Sequence, residues 1–295
     1  MPRPFPDHPI DALPPALLQR PGAAEWAAGL PEIAARCADR WSLRLGEALP
    51  GATTSLVLAA TGLRGGSMVL KIPFRDRETE HEAAALAVWN GRGAIRLLEC
   101  EPHSGAMLLE RCEPGTPLGE TGPERALDVL AGLLPRLWLP AEAPFRSLID
   151  EARRWSETIP RSWEEAGRPF ERRMVDAAVD LLDGLAASSA GPPVLLHQDL
   201  HGGNVLAARR EPWLVIDPKP LAGEREFGAA PIVRSTELGR GERAGRRRLD
   251  RLADELALDR ERCRGWAFAQ TLAWAFDGGR VLPGHVETAR WLLDP

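Results

Sequence analysis

Hydrophobic and polar residues follow two different patterns along the chain. In its first part, short runs alternate between apolar and polar positions and end at turns containing glycine or proline, which is typical of strands. From about Gly122 onward the apolar spacing is helical almost throughout. The pattern predicts an α+β chain, with strands first near residues 41–45, 56–60, 67–73, 94–99 and 106–110.

Two helices are predicted among these strands. Between residues 23 and 40 the apolar spacing is helical, and Pro31 is expected near a break or a helix start. A second helix is predicted from Asp76, whose side chain suits an N-cap, to about residue 89. Glu82 shares one face of that helix with large apolar residues, so its carboxylate is expected to point inward. The proline-rich first 20 residues are expected to form an extended arm.

Six further helices are predicted in the second part of the chain. On the fifth of them Trp266, Gln270 and Trp274 share one face. Such aromatic residues usually belong to a core, and stacking against a substrate is the alternative. The helices are expected at about 124–138, 145–158, 168–188, 242–256, 259–276 and 285–293.

Polar residues end two short apolar runs in this second part. The first run leads into His197, Asp199 and Asn204 in the order H-x-D-x-x-x-x-N, and the second, near 213–216, ends in Asp217. Phosphoryl transfer of the protein-kinase type uses such a set, in which one Asp takes the proton of the attacking hydroxyl while an Asn and another Asp bind Mg²⁺. We therefore predict Asp199 as the catalytic residue and Asn204 and Asp217 as magnesium ligands.

Other interpretations of this segment stay open. Asn204 follows two glycines and could be only a turn residue, while His197 and His201 could be structural histidines. Two imidazoles and a carboxylate could also form a hydrolytic metal site, although that site would leave Asn204 and Asp217 without a role. We favour the kinase interpretation and expect His197 to hold the loop.

Lysine is rare in this chain, since only Lys71 and Lys219 occur among 37 basic residues. A compact ammonium fits places where a guanidinium does not, so both lysines are candidates for the site. Lys71 lies in an apolar strand, where its charge needs a partner or a ligand. We expect it to hold the α and β phosphates of ATP and to pair with Glu82, with Glu78 as the alternative. Lys219 is expected to neutralise charge on the transferring group.

The loop 46–55 carries a weaker signal for phosphate binding. Backbone N–H groups around Thr53, Thr54 and Ser55 would cover the phosphates, but an ordinary hairpin turn explains the same residues equally well. A Walker-A loop is excluded because no such sequence occurs in the chain.

The alternating pattern stops near residue 111, where we place a domain boundary. The backbone from Glu110 to Cys112 is expected to bind the adenine edge. We therefore predict an arm and nucleotide-binding domain at 1–111 and a mostly helical domain with the substrate site at 112–295.

Composition narrows the class of protein further. A net charge of -5 and a hydrophobic fraction of 44% describe a globular protein without the basic bias that favours nucleic acid. No apolar run approaches a membrane span, and the N-terminus lacks the apolar stretch of a signal peptide, so we expect a cytoplasmic protein without a membrane partner. Four scattered cysteines are expected to be reduced thiols. The oligomeric state leaves no signal in the sequence.

Several short motifs occur together along the chain, among them Trp26-x-x-Gly-Leu-Pro31, Val69-Leu-Lys71, Leu108-Leu-Glu-Arg111 and Ile216-Asp217-Pro218-Lys219. With the segment from His197 to Asn204, they make the chain resemble the aminoglycoside and hydroxyurea antibiotic-resistance kinase family, which includes the streptomycin 6-phosphotransferases. The Asp-Pro-Lys segment is the most discriminating of these motifs.

The resemblance implies a two-lobed protein-kinase-like fold, with a small N-lobe built on an antiparallel sheet and one key helix and a larger, mostly helical C-lobe. It also implies phosphorylation of a small-molecule hydroxyl, with ATP and Mg²⁺ as cofactors and an aminoglycoside such as streptomycin as the acceptor. A kinase of a sugar or amino alcohol and a non-catalytic ATP-binding protein of kinase ancestry are the alternatives.

Two positions depart from the family pattern. Gln198 stands where glycine is usual, and we expect the loop backbone to tolerate it. Phe227-Gly228 stands where an aromatic residue and Asp are usual, so a structural or substrate-side carboxylate is missing. A cationic acceptor would require carboxylates in its pocket, and Asp150, Glu151, Glu224, Glu226 and Asp277 are available.

Overall fold

The structure, a computed structural model, describes residues 13–63, 65–188, 190–277 and 280–294. Contacts within the chain divide it into two units. The first unit comprises residues up to Gly115 together with Ala208–Leu214, and the second comprises Thr116–Ala207 and Val215–Pro295. The division falls slightly after the predicted boundary at residue 111, and no pattern in the sequence indicated the added segment.

The first unit is built on a five-stranded antiparallel sheet. Its strands pair in the spatial order first, second, third, fifth and fourth along the chain. In chain order they are β1 (Leu43–Ala48), β2 (Ser55–Gly62), β3 (Ser67–Pro73), β4 (Leu97–Glu101) and β5 (Ala106–Glu110). The five predicted strands are therefore present with shifted ends. The first begins at Leu43 because Trp41 belongs to the preceding helix, and the fourth begins at Leu97 rather than at residue 94.

Helices α1 (Pro15–Leu18) and α2 (Ala23–Trp41) precede the sheet. The buried face of α2 joins residues of β2 and β3 in one apolar core. Pro31 lies inside α2, so the predicted break there is wrong; a proline removes only one helical hydrogen bond, and the packed face holds the helix across it. Residues 1–12 of the predicted arm lie outside the described residues, and α1 occupies its end.

Helix α3 (Glu82–Trp89) begins later than predicted. The Asp76 carboxylate accepts the backbone N–H groups of Glu78 at 2.9 Å and Thr79 at 3.0 Å, as a cap does. The chain between Asp76 and Glu82 nevertheless forms only turns, because the Thr79 hydroxyl binds back to the Phe74 carbonyl at 3.0 Å. The predicted start is wrong, while the inward position of Glu82 is confirmed by its 1% exposure.

The segment Ala208–Leu214 joins the first unit through Arg210. Its guanidinium forms two hydrogen bonds with Glu110, of 2.8 and 2.9 Å. It also donates to the carbonyl groups of Gly91 at 2.7 Å and Ala94 at 2.9 Å. One arginine therefore ties this segment to the end of β5, which explains why a piece of chain far along the sequence belongs to the first unit.

The second unit is mostly helical. Its helices are α4 (Pro123–Leu137), α5 (Leu148–Glu165), α6 (Arg172–Ala187), α7 (Ala230–Arg234), α8 (Glu242–Leu256), α9 (Arg260–Ala273) and α10 (Pro283–Leu293). The remaining short strands of the chain are β6 (Arg146–Ser147), β7 (Val194–Leu196), β8 (Val205–Ala207), β9 (Trp213–Val215), β10 (Leu221–Gly223), β11 (Phe276–Asp277) and β12 (Arg280–Val281). The first two residues of β9 belong to the first unit. Strands β6, β10 and β7 form one small sheet, with β10 at its centre.

The six predicted helices are present with shifted ends, and the short α7 was not predicted. Helix α5 continues beyond its predicted end because Pro160, like Pro31, is accommodated inside a packed helix. None of the helices among the described residues is both long and apolar enough to cross a membrane.

The core of this unit surrounds α9. Trp266 on α9 meets Phe227 edge to face at 5.6 Å, and Phe227 lies 6.1 Å from Trp155. Trp266 is thus a core residue, the first of the two roles considered for it. A Cβ atom at Gly228 would lie 3.1 Å from the Trp138 indole nitrogen, so the residue that usually stands there would need Trp138 to shift.

A buried arginine on α8 holds the segment that follows α7. Arg248 is almost fully buried, and its guanidinium donates to the carbonyl groups of Val233 at 2.8 Å, Leu238 at 3.0 Å and Gly239 at 2.9 Å. Burial lowers its pKa to about 10, which still leaves it charged at neutral pH. Three carbonyl groups therefore depend on one side chain for their hydrogen bonds.

We predict that Arg248→Met destabilises the protein by about 2 to 4 kcal/mol, because the buried carbonyl groups lose their donors. The urea midpoint should fall, while the slope of the unfolding free energy against urea concentration stays unchanged. Arg243→Met, an exposed position on the same helix, is the matched control and should change stability by less than about 0.5 kcal/mol. Equal midpoints for the two variants would contradict the prediction.

Candidate active site

The loop after β7 carries Asp199 in a constrained backbone. Gln198, just before it, has a φ of 66°, the left-handed region that glycine adopts most easily. The Gln270 amide on α9 donates to the Gln198 carbonyl at 2.8 Å and so holds this strained peptide in place. The backbone tolerates Gln198 as expected, at the expense of a side-chain amide that is buried without a hydrogen-bond partner among the described residues.

The Asp199 carboxylate lies between two cations. Its Oδ2 accepts Lys219 Nζ at 2.7 Å, and its Oδ1 accepts a guanidinium N–H of Arg234 at 2.9 Å. Both cations lie over the ring of Trp274, with Lys219 Nζ at 5.1 Å and the Arg234 guanidinium carbon at 4.6 Å. Burial alone would raise the pKa of Asp199, but the two cations outweigh it and lower the pKa to about 2.

His197 holds the loop, as predicted. Its Nδ1 accepts the backbone N–H of Asp199 at 3.3 Å, so its Nε2 is the nitrogen that donates to the Ile216 carbonyl at 2.9 Å. Burial lowers the pKa of His197 to about 4, which keeps the imidazole neutral. The neutral imidazole of His197 therefore links Ile216, the residue before Asp217, to Asp199.

Asn204 and Asp217 are brought close together by a backbone bond. The N–H of Ile216 donates to the Asn204 carbonyl at 2.9 Å, which places the two predicted metal ligands on adjacent backbone. The Asn204 amide nitrogen donates to the Asp199 carbonyl at 2.9 Å, so its amide oxygen is the atom left for a cation. Asp217 has a φ of 56°. An amide oxygen and a carboxylate suit Mg²⁺, which takes few protein ligands and completes its shell with phosphate and water.

The described residues contain no group of three or more His, Cys, Asp or Glu side chains that could hold a metal ion. The hydrolytic site considered for His197, His201 and Asp199 is therefore not formed. His201 instead lies with its Nε2 at 4.0 Å from Asp199 and its Nδ1 at 3.4 Å from Glu237.

Lys71 and Glu82 form a buried ion pair in the first unit. Lys71 Nζ lies 2.6 Å from Oε1 and 2.7 Å from Oε2 of Glu82, and the two residues are 6% and 1% exposed. The strand β3 and the first residue of α3 supply the two partners. This confirms the predicted pair, and a carboxylate that binds the ammonium at both oxygens fixes its direction.

The other residues predicted to contact the nucleotide differ in their exposure and in their backbone hydrogen bonds. Thr53 and Thr54 lie in the loop before β2, whereas Ser55 is buried as the first residue of that strand. The backbone N–H of Glu110 already donates to the Arg96 carbonyl at 3.0 Å, so this donor is not available for an adenine edge. Burial raises the pKa of the Cys112 thiol to about 12. The backbone of Cys112 has no backbone hydrogen-bond partner among the described residues.

A pocket of about 380 Å³ opens beside Asp199 in the second unit. Arg234, Glu237, Thr271 and His285 also line it. None of the five carboxylates proposed from sequence lines this pocket. Three of them pair with arginines instead: Asp150 with Arg153, Glu151 with Arg146 and Arg154, and Glu224 with Arg262.

Four functional residues escaped the sequence interpretation as parts of the site: Arg234, Glu237, Gln270 and Trp274. Gln270 and Trp274 left a signal, because they share a helix face that was considered for the core or the substrate. Trp274 contacts the cations that hold Asp199. Arg234 and Glu237 left none, since they occur in no motif. Only the fold brings Arg234 to Asp199 and Glu237 to Gly202 and His201.

Known proteins resemble this chain over most of its length. It is 38% identical over 282 residues to the streptomycin 6-kinase of Streptomyces glaucescens, covering 90% of each chain. It is 39% identical over 280 residues to the hydroxyurea phosphotransferase of Kitasatospora aureofaciens, covering 91% of this chain and 80% of the relative.

A crystal structure of a thermostable mutant of the aminoglycoside phosphotransferase APH(4)-Ia, in a ternary complex with ADP and hygromycin B, superposes with a TM-score of 0.61 and 13% identity. That structure covers 88% of this chain and 95% of its own, which confirms the predicted α+β fold of the protein-kinase type. The family model of the aminoglycoside/hydroxyurea antibiotic resistance kinases matches residues 40–279 of this chain. The chain therefore belongs to the aminoglycoside/hydroxyurea antibiotic resistance kinase family and is a phosphotransferase.

Proposed function

We propose that this enzyme transfers the γ-phosphoryl group of ATP to a hydroxyl of a small-molecule antibiotic, with streptomycin as the first candidate acceptor. The observation that carries the proposal is the Asp199 carboxylate, held by Lys219 and Arg234 beside a pocket in the second unit. The identity to streptomycin 6-kinase over most of the chain supports the choice of acceptor.

In the proposed reaction the acceptor oxygen forms a bond to the γ-phosphorus, and the bond from that phosphorus to the bridging oxygen of ADP breaks. Asp199 accepts a hydrogen bond from the acceptor hydroxyl and receives its proton. A carboxylate with a pKa of about 2 is a weak base, so its main contribution is to orient the hydroxyl in line with the phosphorus. Lys219 and Arg234 neutralise the negative charge that gathers at Asp199 when phosphate approaches.

Several of the predicted contacts would hold the nucleotide. Lys71, directed by Glu82, would bind the α and β phosphates, and backbone N–H groups near Thr53 and Thr54 would cover them. The peptide of Cys112 would bind the adenine edge. Asn204 and Asp217 would hold Mg²⁺, which when bound shields the phosphate charges.

Hydroxyurea is the second candidate acceptor. The 39% identity to hydroxyurea phosphotransferase favours it as strongly as the streptomycin kinase favours the first. The phosphoryl transfer is the same in both cases, since hydroxyurea also presents a hydroxyl. The two acceptors differ in charge, because streptomycin is a polycation and hydroxyurea is neutral.

We predict that Asp199→Asn lowers turnover by about 10² to 10⁴, because the amide neither accepts the proton nor holds the two cations. ADP release from ATP and Mg²⁺ is measured with streptomycin and with hydroxyurea. Asp180→Asn, an exposed position on α6, is the matched control and should retain wild-type turnover. Near-normal turnover of Asp199→Asn would remove that residue from the mechanism, and no turnover by the wild type on any acceptor would remove the function.

We predict that Lys71→Met weakens ADP binding by about ten- to hundred-fold, because the phosphates lose a charged hydrogen bond. Calorimetry measures binding directly, and the urea midpoint of each variant shows whether it remains folded. Arg44→Met changes an exposed cation on the same sheet and should bind ADP normally. Unchanged affinity in folded Lys71→Met would contradict the assignment.

A further inference from the structure

Charge is distributed unevenly in the pocket beside Asp199. At one end the Asp199 carboxylate contacts two cations, Lys219 and Arg234. At the other end Glu237 has no lysine or arginine within ion-pair distance among the described residues. His285 adds no positive charge, because burial and the nearby Arg234 lower its pKa to about 4.

Glu237 is held in place by a hydrogen bond from the backbone. Its Oε1 accepts the backbone N–H of Gly202, and its side chain remains 30% exposed. Burial alone would raise its pKa, but the contacts with His201 and with the Gly202 N–H outweigh burial and lower the pKa. Glu237 therefore presents an ionised carboxylate to the pocket at neutral pH.

The hydroxyl of a second residue in the pocket is buried without a hydrogen-bond partner among the described residues. The Thr271 hydroxyl is fully buried and has no hydrogen-bond partner among the described residues, although Thr271 lines the pocket. A buried hydroxyl without a partner costs free energy, which a polar ligand in the pocket would recover. The pocket thus offers polar groups to a hydrophilic ligand.

The two carboxylates are separated by one imidazole ring. His201 Nε2 lies 4.0 Å from Asp199, and Nδ1 of the same ring lies 3.4 Å from Glu237. A small molecule whose hydroxyl contacts Asp199 can therefore place a neighbouring substituent at Glu237. A cationic substituent is favoured there, because it is attracted to the ionised carboxylate of Glu237.

We propose that Glu237 determines acceptor specificity by binding an ammonium or guanidinium group next to the hydroxyl that is phosphorylated. The proposal rests on the proposed function and narrows it, since it selects a cationic acceptor over a neutral one. Glu237 does not act on the phosphoryl group.

The test compares Glu237→Gln with the wild type on streptomycin and on hydroxyurea. Glutamine keeps the oxygen that accepts the Gly202 N–H and removes only the charge. We expect the KM for streptomycin to rise about ten- to hundred-fold, with kcat within about threefold, while the KM values for hydroxyurea and ATP stay unchanged. Higher salt should reduce the difference between the KM values of the wild type and the variant for streptomycin. Glu157→Gln, an exposed position on α5, is the matched control.

Calorimetric binding of streptomycin to the ADP complex gives a readout that does not need turnover. Weaker binding to Glu237→Gln than to the wild type supports the proposal, even if the wild type phosphorylates none of the acceptors and the proposed function fails. An unchanged KM and affinity for streptomycin, or equal losses on streptomycin and hydroxyurea, would overturn it. A wild type that phosphorylates hydroxyurea but neither binds nor phosphorylates streptomycin would overturn it too, while the phosphotransferase activity would stand.

Discussion

The buried carboxylate of Asp199 is the group on which the second unit depends. An ionised carboxylate out of water is costly unless opposite charges and hydrogen bonds compensate for the lost hydration. Lys219 and Arg234 supply that compensation, one to each oxygen, and the Trp274 ring supports both of them. The same two cations would attract an approaching phosphate, so the contacts that stabilise the resting site also prepare it for anionic ligands.

Backbone strain beside this carboxylate is held by neutral hydrogen bonds. Gln198 and Asp217 both adopt the left-handed region, which costs a non-glycine residue about 1 kcal/mol or more. The Gln270 amide binds the Gln198 carbonyl, and the neutral His197 links Asp199 to Ile216. Because neither of these groups is charged, they fix the loop without disturbing the electrostatics of Asp199. The usual glycine at position 198 would remove part of this strain.

The sequence predicted local chemistry better than long-range contacts. The proximity of Asp199, Asn204 and Asp217 was predictable because loop spacing is local, and the Lys71–Glu82 pair was predictable because a helix face has a fixed period. Helix ends were predicted less well. The Asp76 cap is followed by turns rather than a helix, and Pro31 lies within a helix that packing maintains. Arg234 and Glu237 contact the loop from far along the chain, and only the fold brings them there.

Arg248 connects stability with specificity. The carbonyl groups that it holds flank the segment from Arg234 to Glu237, which carries both the cation that binds Asp199 and the carboxylate proposed to bind the acceptor. A shift of this segment would move the guanidinium of Arg234 and the carboxylate of Glu237 together, since the two residues lie only three positions apart. A buried guanidinium is a suitable anchor, because its five donors have a fixed geometry and can bind several carbonyl groups at once. If Glu237 binds a cationic acceptor as proposed, the position of its carboxylate depends on Arg248, a residue that does not line the pocket.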